Sequence, residues 1–391
     1  MKKIAFLTLL IGTFLLFFSC KKDRTSLKEI NNHKFAASIH NEIKAVQKKN
    51  DAALDLFISR MSLEEKVSQM FIINLEGNSV FTPVDKLNGK PYVPGGYLFF
   101  SYNLAETPEK VREFTDSIAS FCEGQNIIPP FLAVDEEGGY VQRLRKLAGK
   151  IPGQEDVAKT MTVSEAYKMY SEHAVKMKEM GFHMNLSPVV EVLSDFNKEF
   201  LDGRSFGDSF NTTYYSIAEM NGYQNNGIAC VLKHFPGNTN TDPHTGLPEI
   251  TLSIEELETS LEPFNRVLSL GPKAVLMSHA RTSVIDRDVP ACFSKTWITE
   301  KLRNQNGFKG IIFSDDIFMG ALAQNGYPPE TACVKAVEAG IDCIMISEKR
   351  FLKPAMVLVE KARNDAVFAS RIDESVGRIL KYKIEEGIFS I

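Results

Sequence analysis

"IACVLKHFPGNTNTDPHTGLP", residues 228–248, starts as an unbroken apolar run and ends in a loop that crowds Lys233, His234, Asp242 and His244 among glycine, proline and asparagine. An apolar run of this length without alternation fits a strand buried on both faces of a parallel sheet. Titratable groups then sit at its carboxyl end, where packing does not require them. Seven further runs repeat the pattern: "QMFIINL" (69–75), "GGYLFF" (95–100), "PFLAVD" (130–135), "FHMNLSPV" (182–189), "KAVLMSHA" (273–280), "KGIIFSDD" (309–316) and "IDCIMIS" (341–347).

Helix signals separate these runs. Thr107 followed by Pro108 opens one helix, and Thr162 with Glu165 and Ser253 with Glu256 have the spacing of capping boxes, in which each side chain satisfies an orphan amide. Gly181, Gly271 and Gly340 stand where helices should stop. Strand and helix alternating eight times predict an α/β fold of the (β/α)8, or TIM-barrel, type in a single catalytic domain. An open doubly wound sheet is the alternative, but no glycine fingerprint for a dinucleotide follows an early strand. No composition break marks a second domain.

The 391 residues are 44% hydrophobic and 24% charged, a composition that supports a large core. With 45 basic and 49 acidic side chains the net charge is only -4, so no global field recruits nucleic acid, and a small neutral partner is expected. The amino terminus reads separately. Lys2 and Lys3 precede an apolar run from Ile4 to Phe18, then Ser19 and Cys20, the pattern of an export signal ending in a lipoprotein processing site. Residues 1–20 are therefore expected to be a lipoprotein signal peptide with Cys20 as the lipidation site, residues 21–50 a polar tether, and 51–391 the barrel. This predicts an exported protein tied by lipid to the membrane of a bacterial cell envelope, on its periplasmic side or at the cell surface; a cleaved signal or an uncleaved anchor is the other reading. The remaining cysteines, Cys122, Cys230, Cys292, Cys333 and Cys343, are odd in number and lie in apolar segments, which predicts buried free thiols. No Cys/His spacing suggests a metal, and no cofactor is expected.

In a barrel, chemistry gathers at the carboxyl ends of the strands. Strand three ends in "DEEGGYVQR", strand five in "KHFPG", strand six in "SHA" and strand seven in "SDD". Singly, each has a plain reading: Lys233 and Asp135 as a structural ion pair, His279 as a satisfied core histidine, Glu136 and Glu137 as solvated or bound to backbone amides, Asp315 and Asp316 as helix caps. Jointly, charges converging on one rim repel or desolvate one another unless a ligand binds there. A strand-end carboxylate acting as nucleophile, with a loop histidine oriented by the aspartate of "DPH" to move a proton, is what a retaining glycosidase needs.

From about Met61 onward the chain resembles glycoside hydrolase family 3, and within it the single-domain bacterial β-N-acetylhexosaminidases. The resemblance rests on "SLEEKVSQM", "GGYLFF", "AVDEEGGYVQRL", "NLSPVVEV", "RSFGD", "KHFPG" with "DPHTGLP", "MSHA" and "GIIFSDDIFMGAL". It implies Asp315 as nucleophile with Asp316 as runner-up, His244 as acid/base and Asp242 as its partner. It further implies Asp135, Arg143, Arg204, Lys233 and His234 as sugar-holding groups; His279 is added to them from its strand end. Three departures stand out: a loop about two residues shorter before Asp242, Tyr140 where an arginine is usual, and Pro243 where a serine is usual. The single tryptophan, Trp297, is expected to pack rather than stack on sugar, which favours a compact exo-acting pocket. The expected activity is hydrolysis of terminal N-acetylglucosamine from glycans or peptidoglycan fragments. The alternatives are a β-N-acetylglucosaminide phosphorylase, since a neutral histidine does not repel phosphate, and a surface lipoprotein that binds sugar without turnover.

Overall fold

The computed structural model describes residues 48–243 and 246–391. Residues Leu54–Ile391 form one compact unit; of the unit before it, Met1–Ala53, only residues 48–53 are described, and they are helical. The signal peptide, Cys20 and nearly all of the tether lie outside the described residues, as does His244.

All eight apolar runs form strands: β1 (Phe71–Asn74), β2 (Gly96–Phe99), β3 (Phe131–Val134), β4 (Met184–Asn185), β5 (Ala229–Phe235), β6 (Ala274–Met277), β7 (Ile311–Ser314) and β8 (Ile344–Ile346). They pair in parallel in the order β7-β6-β5-β4-β3-β2-β1-β8. A bridge between Phe313 and Cys343 brings the two ends together, so the sheet is a nearly closed barrel. The core strands are buried throughout because the lumen lies on one face and the helices on the other.

Register assigns each residue to a face. Ile72 lies beside Gly96 and Gly96 beside Phe131, whose ring fills the lumen and meets Phe313 edge-on at 6.0 Å. A Cβ at Gly96 would fall 2.3 Å from the Phe131 ring, so glycine is required for that ring to point inward. Tyr97 and Phe99 point the other way, Phe99 packing on Phe114 of the helix Pro108–Gly124. Since side chains alternate along a strand, Asn74, Asp135, Lys233 and Asp315 all face the lumen at its carboxyl mouth.

The predicted caps form. Thr107, Thr162 and Ser253 each accept the backbone N–H three residues on, with Glu165 and Glu256 closing the two capping boxes; Ser62 and Glu65 make a third. Gly340, at φ +119°, ends the helix Pro329–Ala339. Trp297 is buried in the π-type helix Thr296–Gln305, edge-on to Phe235, with its Nε1–H donating to Thr282 Oγ1 at 3.1 Å. The five cysteines are buried and free.

The opposite end of the barrel is closed by charge. Asp342, just before β8, is fully buried and is reached by Arg303, by Arg371 at 2.7 Å and by Arg378 at 2.9 Å, while the Ile312 N–H and Ser375 hydroxyl also donate to it. Burial alone would raise its carboxyl, but the three guanidinium groups outweigh that and hold it below the ordinary range. Arg371 and Arg378 belong to the helix Ala366–Glu385, which this cluster fastens beneath β7 and β8.

Candidate active site

The loop after β3 supplies the first half of the site. Gly138 (φ +96°) and Gly139 (φ +58°) turn the chain so tightly that a Cβ on Gly138 would meet the Pro152 carbonyl oxygen at 2.3 Å. That turn folds Glu136 and Glu137 back under the mouth. Both are buried rather than solvated; Glu136 is bound to a backbone amide, one of the two readings offered for the pair, whereas Glu137 is held by side chains that the linear sequence does not show. Glu136 Oε2 accepts the Leu144 N–H at 2.8 Å, and Oε1 lies 3.3 Å from His173 Nε2. Glu137 accepts two parallel hydrogen bonds from Arg204, at 2.8 and 2.9 Å, and lies 2.6 Å from Lys233 Nζ.

Lys233 also reaches Asp135 at 2.8 Å, so one ammonium ties β5 to two carboxylates from the β3 loop. Burial would raise the Glu137 carboxyl, yet Lys233 and Arg204 overcome it and hold the group down at about 2. For Lys233 burial works downward and the two carboxylates upward, with a net rise, so the ammonium stays charged. Arg204 lies over the Phe200 ring at 5.2 Å, and that ring meets His234 at 6.0 Å. His234 is turned by Glu191, which accepts from Nδ1 at 2.7 Å and leaves Nε2 as the free ring nitrogen. Glu191 also accepts the Asn238 N–H at 2.6 Å, which fixes the start of the following loop. The Lys233–His234 peptide bond is cis.

Asp315 stands one residue beyond β7. One carboxylate oxygen accepts the Asp316 N–H at 2.8 Å, and the side chain is partly open. Asp316 is the opposite case. Its Oδ1 accepts the Phe318 and Ser347 N–H groups, each at 3.0 Å, and its Oδ2 takes the Ser347 hydroxyl. Burial raises its carboxyl against those hydrogen bonds. With its oxygens committed, Asp316 holds the turn, and Asp315 is the carboxylate that faces the mouth. His279 is fully buried, with Nε2 2.9 Å from the Asp316 carbonyl oxygen and Nδ1 3.3 Å from Cys292 Sγ, so it braces the Asp316 turn from behind.

β7 and β3 lie four places apart in a ring of eight, so Asp315 faces Asp135 across the mouth. Arg143 enters from the β3 side with its guanidinium 5.6 Å from the Phe100 ring centroid; its Nε is buried without a partner. Tyr140 is exposed, beside the Arg204 guanidinium. Asp242 is exposed, and its carbonyl accepts the Gly246 N–H at 3.0 Å. Asn240 anchors that loop by donating its N–H to the Phe196 carbonyl at 2.7 Å and its Nδ2–H to the Asp195 carbonyl at 3.0 Å. Among the described residues no group of three or more His, Cys, Asp or Glu side chains is placed to hold a metal ion.

The structure thus brings Asp135, Lys233, Arg204 and His234 into one network and sets Asp315 opposite it. Reading the sequence did not single out Glu191, although it lies in "NLSPVVEV", because nothing in that stretch shows which histidine it orients. The arrangement offers a partly open carboxylate facing a rigid polar wall suited to hydroxyl groups.

The profile of the glycosyl hydrolase family 3 N-terminal domain matches residues 62–382. A beta-hexosaminidase of Alkalilimnicola ehrlichii is 30% identical over 296 residues, 73% of this chain and 82% of that protein. Beta-hexosaminidase A of Pseudoalteromonas piscicida is 25% identical over 321 residues, 75% of this chain, which spans about half (53%) of that protein. A family 3 beta-N-acetylglucosaminidase structure from Paenibacillus sp. superposes with a TM-score of 0.76 at 26% identity, covering 85% of this chain and 64% of that one. On the strength of the profile match, which spans the whole barrel, the chain belongs to glycosyl hydrolase family 3.

Proposed function

We propose that the protein is a retaining, exo-acting β-N-acetylhexosaminidase that removes terminal N-acetylglucosamine from glycans or peptidoglycan fragments. The observation that carries this reading is Asp315, a partly open carboxylate at a strand end, set across the mouth from the Lys233–Asp135–Glu137–Arg204 network. The names of the relatives support the choice of sugar. In the proposed reaction the Asp315 carboxylate attacks the anomeric carbon while the glycosidic C–O bond breaks. The proton for the departing oxygen comes from the His244 imidazolium, which Asp242 stabilises. Water then adds to the glycosyl ester, passes a proton to His244, and restores Asp315 with configuration retained. Lys233, His234 and Arg204 hold the hydroxyl groups; carboxylate partners keep Lys233 and Arg204 charged, and Glu191 orients His234.

A lipid anchor at Cys20 on the exported chain completes the proposal. The test uses residues 51–391 with aryl β-glycosides, with and without phosphate. Release of free N-acetylglucosamine at a rate indifferent to phosphate is expected, with little turnover of the β-glucoside. Equal or faster glucoside turnover refutes the sugar assignment, and a sugar 1-phosphate product refutes hydrolysis.

A further inference from the structure

The mouth of the barrel holds a buried polar side chain to which neither the mechanism nor the resemblance gives a role. Asn74 ends β1, is 8% exposed, and its Oδ1 has no hydrogen-bond partner. Its backbone is fixed, since its N–H donates to the Glu348 carbonyl at 3.1 Å. The chain just beyond is fixed too: Asn103 Nδ2 donates to the Leu75 carbonyl at 3.0 Å and to the Gly77 carbonyl at 2.9 Å. The register that points Ile72 at Gly96 in the lumen points Asn74 the same way, at the carboxyl end. A buried amide oxygen left unpaired costs about 1–3 kcal/mol, so its retention calls for a partner that the unliganded barrel lacks.

The strand order says where that partner lies. β1 and β5 are four places apart in the ring, so Asn74 faces Lys233 across the mouth just as Asp315 faces Asp135. A pyranose with its reacting carbon at Asp315 and its far end at Asp135 therefore has one long edge toward Lys233 and the other toward Asn74. Asn74 is also the uncharged member of this ring of four. We infer that Asn74 is a sugar-contacting residue whose carboxamide accepts a hydrogen bond from a donor substituent on the pyranose edge turned away from Lys233. Two substituents can present that donor, the acetamido N–H at C2 and the hydroxyl at C6. The inference rests on the sugar-pocket reading but not on turnover.

The experiment measures binding of N-acetylglucosamine, its 6-deoxy analogue and 2-deoxyglucose to residues 51–391 by calorimetry. Wild type, Asn74→Ala and Asn74→Asp are compared, with thermal unfolding of each variant to verify the fold. Asn74→Ala is expected to weaken N-acetylglucosamine binding by about 3- to 10-fold, the range of one neutral hydrogen bond. The loss should vanish with whichever analogue lacks the donor, and Asn74→Asp, which keeps an acceptor oxygen there, should restore the discrimination. Equal loss on all three sugars marks a structural role and overturns the inference, as does no loss on N-acetylglucosamine. Failure of hydrolysis with this binding pattern intact would count against the proposed reaction alone.

Discussion

Replacing Glu137 by Gln tests whether the wall of the pocket is an ion-pair network. The substitution keeps the shape and removes one negative charge from beneath Lys233 and Arg204. In the folded protein the Glu137 carboxyl is held at about 2, against an ordinary 4.5. That difference corresponds to about 3 kcal/mol, within the range expected when one partner of a buried pair is removed. The side chain is only 2% exposed, so solvent screening reduces this little. A depressed folded pKa gives stability that is fully present above the unfolded value and is lost as pH falls through the folded one. The gap between wild type and Glu137→Gln should therefore be about 3 kcal/mol at pH 7, roughly half that at pH 3, and gone below pH 2. Urea titrations at pH 7 and pH 3 measure it. A gap under about 0.5 kcal/mol at pH 7, or one that does not narrow by pH 3, refutes the network as a source of stability.

Two further outcomes follow from the site and the amino terminus. His244→Ala should lose about 10² to 10⁴-fold on a natural disaccharide, yet give a pre-steady-state burst with a leaving group that needs no proton; Asp315→Ala should give no burst. Stopped-flow release of the leaving group separates the two, and undiminished turnover by the His244 variant on both substrates would remove that residue from the mechanism. Cys20→Ala in the full chain should abolish lipid labelling in a bacterial host, and label persisting on the variant would rule out the anchor at Cys20.

The strands were legible because burial on both faces demands continuous apolar sequence, and that demand is local. Their lengths were not. "FHMNLSPV" yields only Met184–Asn185 as strand: after Leu186 donates to the Val134 carbonyl at 3.0 Å, Pro188 has no N–H to continue the ladder. Parity was the larger obstacle at the site. His279 and Asp315 both follow apolar runs, but Met277 lies beside Ser314 on the helix-facing side, and His279, two residues on, shares that side. A strand-end position alone therefore did not show which side chain enters the mouth. Glu137 was obscured differently, since its partners arrive from Arg204 and Lys233, 67 and 96 residues later in the chain, and only the closed ring brings them together.

Buried charge is used in opposite ways at the two ends of the barrel. At Asp342 three arginines, a hydroxyl and a backbone N–H surround one carboxylate. Such a cluster repays the desolvation of its own charge and offers nothing to a ligand. At the mouth, Glu137, Lys233 and Arg204 satisfy one another, but Asn74 Oδ1 and Arg143 Nε are buried without partners and Asp315 stays partly open. A protein selected for stability alone would fill or neutralise those positions, since each lowers the stability of the unliganded fold. Their concentration on one rim, around a rigid ion-paired wall, is what a pocket for a polar, hydroxyl-bearing ring requires: the wall holds its geometry without the ligand, and the ligand supplies the bonds that the wall leaves unmade.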